Sequence, residues 1–141
     1  MIYTRIFDPP ELNRRELLRY AGIRGSHDVP EALIDECVRK AESVLSYRVC
    51  YTVLDVEESE GGLRLGEIFT ASQTLRKAIK GADRILLFAA TVGTPFDRLI
   101  QRYSSLSPSK ALIFQALGAE RVESLCDEFC AQLDREFSED G

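Results

Sequence analysis

Residues 84–95, RILLFAATVGTP, decide the fold of this chain. The first part of the stretch is almost continuously apolar, which is typical of a strand covered on both faces. Gly93 follows as the turn, Thr94 stands at the expected helix cap, and Pro95 suits the first helical position. The stretch therefore predicts a buried strand at 84–91 that turns at Gly93 into a helix.

Downstream of this turn the sequence predicts a second and longer helix. Ser107 and Pro108 repeat the start signal, and residues 110–137 have a helical pattern. The first half of this helix is apolar nearly all round, so we expect it to be buried. The second half has a single apolar stripe, which predicts a surface helix. The polar positions of that half include Glu120, Glu123, Asp127, Glu128, Asp134 and Glu136.

Upstream, short apolar patterns alternate with Gly and Pro breaks. They predict a strand at 2–7, a helix at 14–20 capped by Asn13, an amphipathic helix from Pro30 to Leu45, a hairpin of strands at 47–56 and 63–69, and a short helix from Ser72 to Gly81. We therefore expect an α+β (mixed α/β) fold. It forms a single domain, residues 1–141, in which a small mixed sheet packs against several helices, including the long C-terminal one.

Composition restricts the function classes. The net charge of −5 disfavours nucleic acid as a partner, because affinity for phosphate backbones comes mainly from clustered Lys and Arg. The sequence contains neither an apolar run long enough to span a membrane nor a signal-peptide pattern. We therefore expect a cytoplasmic protein that does not bind membranes.

The residues that carry chemistry form few recognisable motifs. The four cysteines form no CxxC pair, and His27 is the only histidine, so no metal site and no catalytic residue are predicted. Cys126 and Cys130 are expected to pack as small hydrophobic residues. Gly93 stands alone, without the three glycines of a dinucleotide-binding turn. Two interpretations of Gly93 stay open: its turn admits a ligand, or it is only a tight turn. Two also stay open for Glu123, whose carboxylate faces either a pocket or solvent.

Several blocks, in order along the chain, resemble one known family, the activation (reactivation) domain of cobalamin-dependent methionine synthase in its free-standing bacterial form. The resemblance spans residues 14–133. The matching blocks are ELLRYAGIRG at 16–25, AATVG at 89–93, FDRLIQR at 96–102, KALIFQALGA at 110–119 and VESLCD at 122–127.

The resemblance implies a function in methionine biosynthesis. Such a domain binds S-adenosylmethionine and presents its methyl group to an oxidised cobalamin, which a partner protein carries, while a flavoprotein supplies an electron. By position, Glu123 is similar to the acidic helix residue of the family near the S-adenosylmethionine site, where a carboxylate suits the ammonium group of the ligand. The predicted cofactor-binding residues are Glu123, from the resemblance, and Gly93 and Thr94, from the turn that precedes a helix N-terminus.

One part of the family pattern has no counterpart in this chain. The family has a loop with a Pro-Gly-Tyr core after the long helix, but here no tyrosine follows Tyr103 and no proline follows Pro108. The resemblance thus implies a domain truncated at its C-terminus, or one that a second polypeptide completes, without an autonomous active site. Two alternatives stay open: a noncatalytic scaffold or homodimerising interaction subunit that has lost the ligand site, and an independent small-molecule enzyme that uses the Gly93 turn.

Overall fold

The computed structural model describes residues 1–23 and 29–140, so His27 and its predicted turn lie outside the described residues. The elements in chain order are β1 Tyr3–Phe7, α1 Arg14–Tyr20, α2 Glu31–Glu42, β2 Tyr47–Ser59, β3 Gly62–Leu65, β4 Ile68–Thr70, α3 Gln73–Ala78, β5 Arg84–Thr91, α4 Thr94–Leu106 and α5 Pro108–Asp140. The predicted α+β fold, with its long C-terminal helix, is confirmed.

The local signals explain where several helices begin and end. The Asn13 side chain accepts a hydrogen bond from the Glu16 amide at 3.1 Å, so the predicted cap of α1 is confirmed. Ser72 caps α3 in the same way, through the Leu75 amide at 3.2 Å. Gly22 follows α1 at φ +75°, in the left-handed region that ends many helices.

The five strands form one sheet in the order β1-β2-β3-β4, with β5 paired to β2. Strands β2 and β3 are antiparallel, as are β3 and β4. The predicted single return strand at 63–69 is wrong in its length. Gly66, at φ +59°, turns the chain there and divides the segment into β3 and β4.

The chain divides into two compact units. The strand unit comprises Met1–Arg5 and Cys50–Ala89. Its buried side chains include Leu63 and Leu65 of β3, and Arg76 of α3 pairs with Glu58 of β2 at 2.6 Å. Tyr3 stacks on Tyr51, with ring centroids 5.2 Å apart.

The helical unit comprises Ile6–Val49 and the residues from Ala90 onward. Here α1, α2 and α4 each pack against α5. The core consists of Leu17, Ile34, Cys37, Ala41, Phe96, Ile113, Phe114, Ala116 and Leu117. The predicted burial of the first half of α5 is confirmed for the face that packs against these helices, but Leu112 of the same half is 52% exposed.

The expectation that β5 is covered on both faces is wrong. Its residues alternate between half-buried and exposed, and the Leu87 side chain is 51% exposed. The physical reason is that antiparallel sheets can cover one face and expose the other, so a run of apolar residues in such a strand need not be fully buried.

The described residues form no helix with the length and apolar character needed to cross a bilayer.

Candidate functional site

Gly93 forms the turn between β5 and α4, where the sequence predicts it. Its φ of +96° lies in the range that favours glycine, and it is the N-cap of α4. The sequence predicts Thr94 as the cap and Pro95 as the first helical residue, but Thr94 is the first residue of the helix, so both assignments are wrong by one position. The reason is that the left-handed turn ends at Gly93 itself, so helical geometry begins at Thr94.

Ser46 packs closely against Gly93. A Cβ atom at this position would lie 2.5 Å from Ser46 Oγ. The Ser46 amide donates to the Val92 carbonyl oxygen at 3.0 Å, which holds the serine in place. The Gly93 amide donates to Thr91 Oγ1 at 3.1 Å. The contact with Ser46 thus explains the glycine without a ligand.

The other two predicted binding residues are accessible. Thr94 is exposed at the start of α4, and Glu123 is exposed on α5. Within the part of the chain that the structure describes, no ion pair or hydrogen bond engages the Glu123 carboxylate. The helices α4 and α5 pack against each other, but no hydrogen bond or ion pair among the described residues joins Glu123 to Gly93 or Thr94. The structure thus places these residues on neighbouring helices with a free carboxylate on one of them.

Glu120 contradicts the predicted surface character of its part of α5. Only 1% of the residue is exposed, and its carboxylate accepts hydrogen bonds from the Asn13 amide at 2.9 Å and Ser124 Oγ at 2.7 Å. The expectation failed because a segment distant in sequence, residues 9–13, covers this turn of α5. We call this segment the strap.

Arg121 is the partner of Glu120 and is also buried, with 5% exposed. Its Nε and Nη2 donate to the two Glu120 carboxylate oxygens at 2.5 and 2.9 Å. Nη1 donates to the Pro10 carbonyl oxygen at 2.8 Å and to Tyr47 Oη at 3.2 Å, and Nη2 also donates to the Glu11 carbonyl oxygen at 3.0 Å. All five N–H groups of the guanidinium are therefore used inside the protein.

These contacts determine the charge states of the pair. Burial raises the pKa of Glu120, but the hydrogen bonds from Arg121, the Asn13 amide and Ser124 outweigh it, so the pKa lies below its usual range. Burial lowers the pKa of Arg121, and hydrogen bonds to Glu120 and Tyr47 more than offset that effect. Both groups are ionised near neutral pH, and together they fasten the strap to α5.

A second polar cluster, also absent from the sequence predictions, joins α2, α4 and α5. Lys40 Nζ donates to Tyr103 Oη at 2.7 Å, and Lys110 Nζ donates to Glu36 at 3.0 Å. The hydrogen bond from Lys40 lowers the pKa of the Tyr103 hydroxyl. The cluster lies at the surface of the helical core and links three of its helices.

The described residues contain no group of His, Cys, Asp and Glu side chains that could hold a metal ion. Cys126 is half-buried, and burial raises the pKa of its thiol. Cys130 is exposed, so its predicted packing as a small hydrophobic residue is wrong. The apolar stripe of this half of α5 is centred on the fully buried Leu125 and Phe129, and Cys130 lies beside it.

Comparison with known proteins supports the fold. No family model matches the chain, and no curated protein matches it. Among solved structures, the chain is similar to the crystal structure of the MetH reactivation domain bound to AdoHcy, with a TM-score of 0.63 and 12% sequence identity. The match covers 92% of this chain and 54% of the other, so this chain spans about half the length of the structure that it matches. The chain is therefore similar in fold to the MetH reactivation domain.

Proposed function

We propose that this chain is an activation-type component of cobalamin-dependent methionine synthesis. It binds S-adenosylmethionine and assists the reductive remethylation of oxidised cobalamin carried by a partner protein in the cytoplasm. The observation that carries the proposal is the fold likeness over 92% of the chain to a reactivation domain solved with AdoHcy, S-adenosylhomocysteine. That ligand is the product that remains when S-adenosylmethionine gives up its methyl group.

The exposed groups of the helical unit fit the charges of such a ligand. Glu123 offers a carboxylate without a described partner, which suits the ammonium group of the amino-acid end. Thr94 offers an exposed hydroxyl at the N-terminus of a helix, where backbone amides favour a carboxylate. When bound, S-adenosylmethionine supplies the methyl group that traps reduced cobalt. The protein's own contribution is to bind and orient it.

Calorimetry with S-adenosylmethionine and with AdoHcy tests the ligand. We expect Glu123→Gln to weaken the binding of both by roughly 10-fold or more, because a charge-assisted hydrogen bond contributes about 1.5–3 kcal/mol. The matched control is Asp134→Asn, which removes another exposed carboxylate from the same helix and should leave the affinity unchanged. If the folded chain binds neither ligand, its assignment as an S-adenosylmethionine-binding component fails.

The partner requires a separate experiment. The chain is mixed with a cobalamin-binding methyltransferase subunit that holds oxidised cobalamin, together with a reduced flavoprotein and S-adenosylmethionine. We expect the absorption spectrum of methylcobalamin to appear only when the chain is present. Formation of methylcobalamin at the same rate without the chain would remove its proposed part in reactivation.

A second candidate function is a noncatalytic subunit that dimerises through its strand unit. Exposed apolar side chains of that unit favour it: Val53 is 43% exposed, Phe69 50%, and Ile68 and Leu87 51% each. Exposed apolar patches commonly mark interaction surfaces. Light scattering should then show a dimer that Leu87→Glu converts to a monomer. Leu106→Glu, at an exposed leucine of the helical unit, should leave it dimeric. A monomeric wild-type protein would contradict this candidate.

A further inference from the structure

The helical unit contains a cavity of about 250 Å³ between the strap, α2 and α5. Its lining residues are Pro9, Pro10, Leu12, Val38, Glu42, Leu45, Tyr47, Leu117 and Arg121. A cavity of about 150 Å³ can hold benzene, and sites for drug-sized ligands begin near 300 Å³. The volume therefore suits a molecule of one aromatic ring or two fused rings. The three predicted cofactor-binding residues do not line this cavity.

The polar groups of the cavity restrict the chemistry of its ligand. Tyr47 is 5% exposed, and its hydroxyl oxygen accepts one hydrogen bond, from Arg121. Within the described residues no acceptor takes the Tyr47 hydroxyl proton, so that proton is available to a ligand. Arg121 lines the cavity but has no N–H group left, because Glu120, the strap and Tyr47 use all five.

The charges disfavour an anionic ligand. The buried guanidinium is neutralised by Glu120 at 2.5 Å, so it does not require a second anion. The exposed carboxylate of Glu42 also lines the cavity and would repel negative charge. The remaining requirement is an apolar ring system with one hydrogen-bond acceptor that faces Tyr47.

We propose that this cavity binds a small neutral heteroaromatic molecule, of one ring or two fused rings, whose ring acceptor receives the hydroxyl proton of Tyr47. The apolar side chains of Leu12, Val38 and Leu117 enclose the rings. The buried pair of Glu120 and Arg121 keeps the strap in place as one wall of the site. This site is independent of the proposed function.

Methyl NMR with two probes of matched shape tests the proposal. Quinoline has a ring-nitrogen acceptor and is neutral at pH 7.5, whereas naphthalene lacks the acceptor. Quinoline should cause saturable shifts of the methyl signals of Leu12, Val38, Leu45 and Leu117. It should bind roughly 2- to 10-fold more tightly than naphthalene, the effect of one hydrogen bond. Absence of saturable shifts up to the solubility limit of quinoline would overturn the proposal.

Two variants assign the binding to this cavity. Tyr47→Phe should bind both probes equally, and Tyr20→Phe, at an exposed tyrosine of the same unit, should retain the preference for quinoline. A preference that survives Tyr47→Phe overturns the assigned role of the hydroxyl. Leu45→Phe fills the cavity and should abolish the shifts from both probes. If Tyr47→Phe does not fold, Leu45→Phe tests the location of the site. Binding of quinoline that persists in Leu45→Phe would place the ligand outside this cavity and overturn the proposal.

Discussion

Replacing Arg121 with methionine removes the cation that fastens the strap to α5. Methionine retains the helix propensity and most of the aliphatic length, so the change acts mainly on the five hydrogen bonds of the guanidinium. Glu120 then stays buried with hydrogen bonds from only Asn13 and Ser124. Removing one member of a buried ion pair costs about 3–5 kcal/mol, because the remaining charge is uncompensated. That is a large share of the roughly 5–15 kcal/mol that stabilises a typical domain.

Urea unfolding at pH 7, followed by circular dichroism, measures this loss. Arg98→Met is the matched control, since Arg98 is exposed on α4, and it should change the free energy of unfolding by less than about 0.5 kcal/mol. The double variant Glu120→Leu with Arg121→Met should be more stable than Arg121→Met alone, because no buried charge is left unpaired. A loss below about 1 kcal/mol for Arg121→Met, or additive losses in the double variant, would refute the reasoning.

Three further predictions concern acid stability and two glycines. The pKa of Glu120 is lower in the folded protein than in the unfolded chain, so the ionised carboxylate stabilises the fold at pH values above the unfolded-state pKa. This stabilisation is lost as the pH falls through the folded-state pKa. The stability difference between wild type and Glu120→Gln, measured by urea unfolding from pH 7 to pH 3, should therefore narrow with acid; a constant difference would contradict this. Gly118→Ala should lower the thermal midpoint of unfolding, because the new Cβ would lie 2.8 Å from Phe96 Cε1. Such overpacking costs about 1–3 kcal/mol, whereas the better helix propensity of alanine contributes about 1 kcal/mol. Gly93→Ala should also lower the thermal midpoint, both through the clash with Ser46 Oγ and through the strain of alanine at a φ of +96°. Adding Ser46→Ala removes only the clash, so it should recover only part of the lost midpoint. Full recovery would argue against backbone strain.

The features that the sequence predicted well depend on neighbouring residues. The Asn13 cap and the Gly93 turn each follow from the conformational preferences of one or two residues within a few positions. The burial of Ile113, Phe114, Ala116 and Leu117 follows from the strongly apolar pattern of the first half of α5. Such signals need no knowledge of the rest of the chain.

The features that could not be predicted depend on distant partners. Glu120 has the sequence neighbourhood of a surface residue, and only the strap, 107 residues away at Asn13, makes it a buried one. The exposed face of β5 is a similar case, because the composition of a strand does not reveal whether both faces of its sheet are covered. A local hint of the Glu120–Arg121 pair exists, since two opposite charges interrupt an apolar run, but such charges are usually solvated.

Glu120 and Glu123 lie one turn apart on α5 but suit different roles, the first in stability and the second in ligand binding. The carboxylate of Glu120 is enclosed and accepts hydrogen bonds from three partners, so a cation from solution would have to displace Arg121 to reach it. Glu123 is exposed and has no described partner, so it can bind an ammonium group without breaking an internal contact. Neutralising Glu120 should therefore change stability first, and neutralising Glu123 should change ligand affinity with little effect on stability. That contrast makes Glu123 the carboxylate through which the proposed S-adenosylmethionine site is best tested.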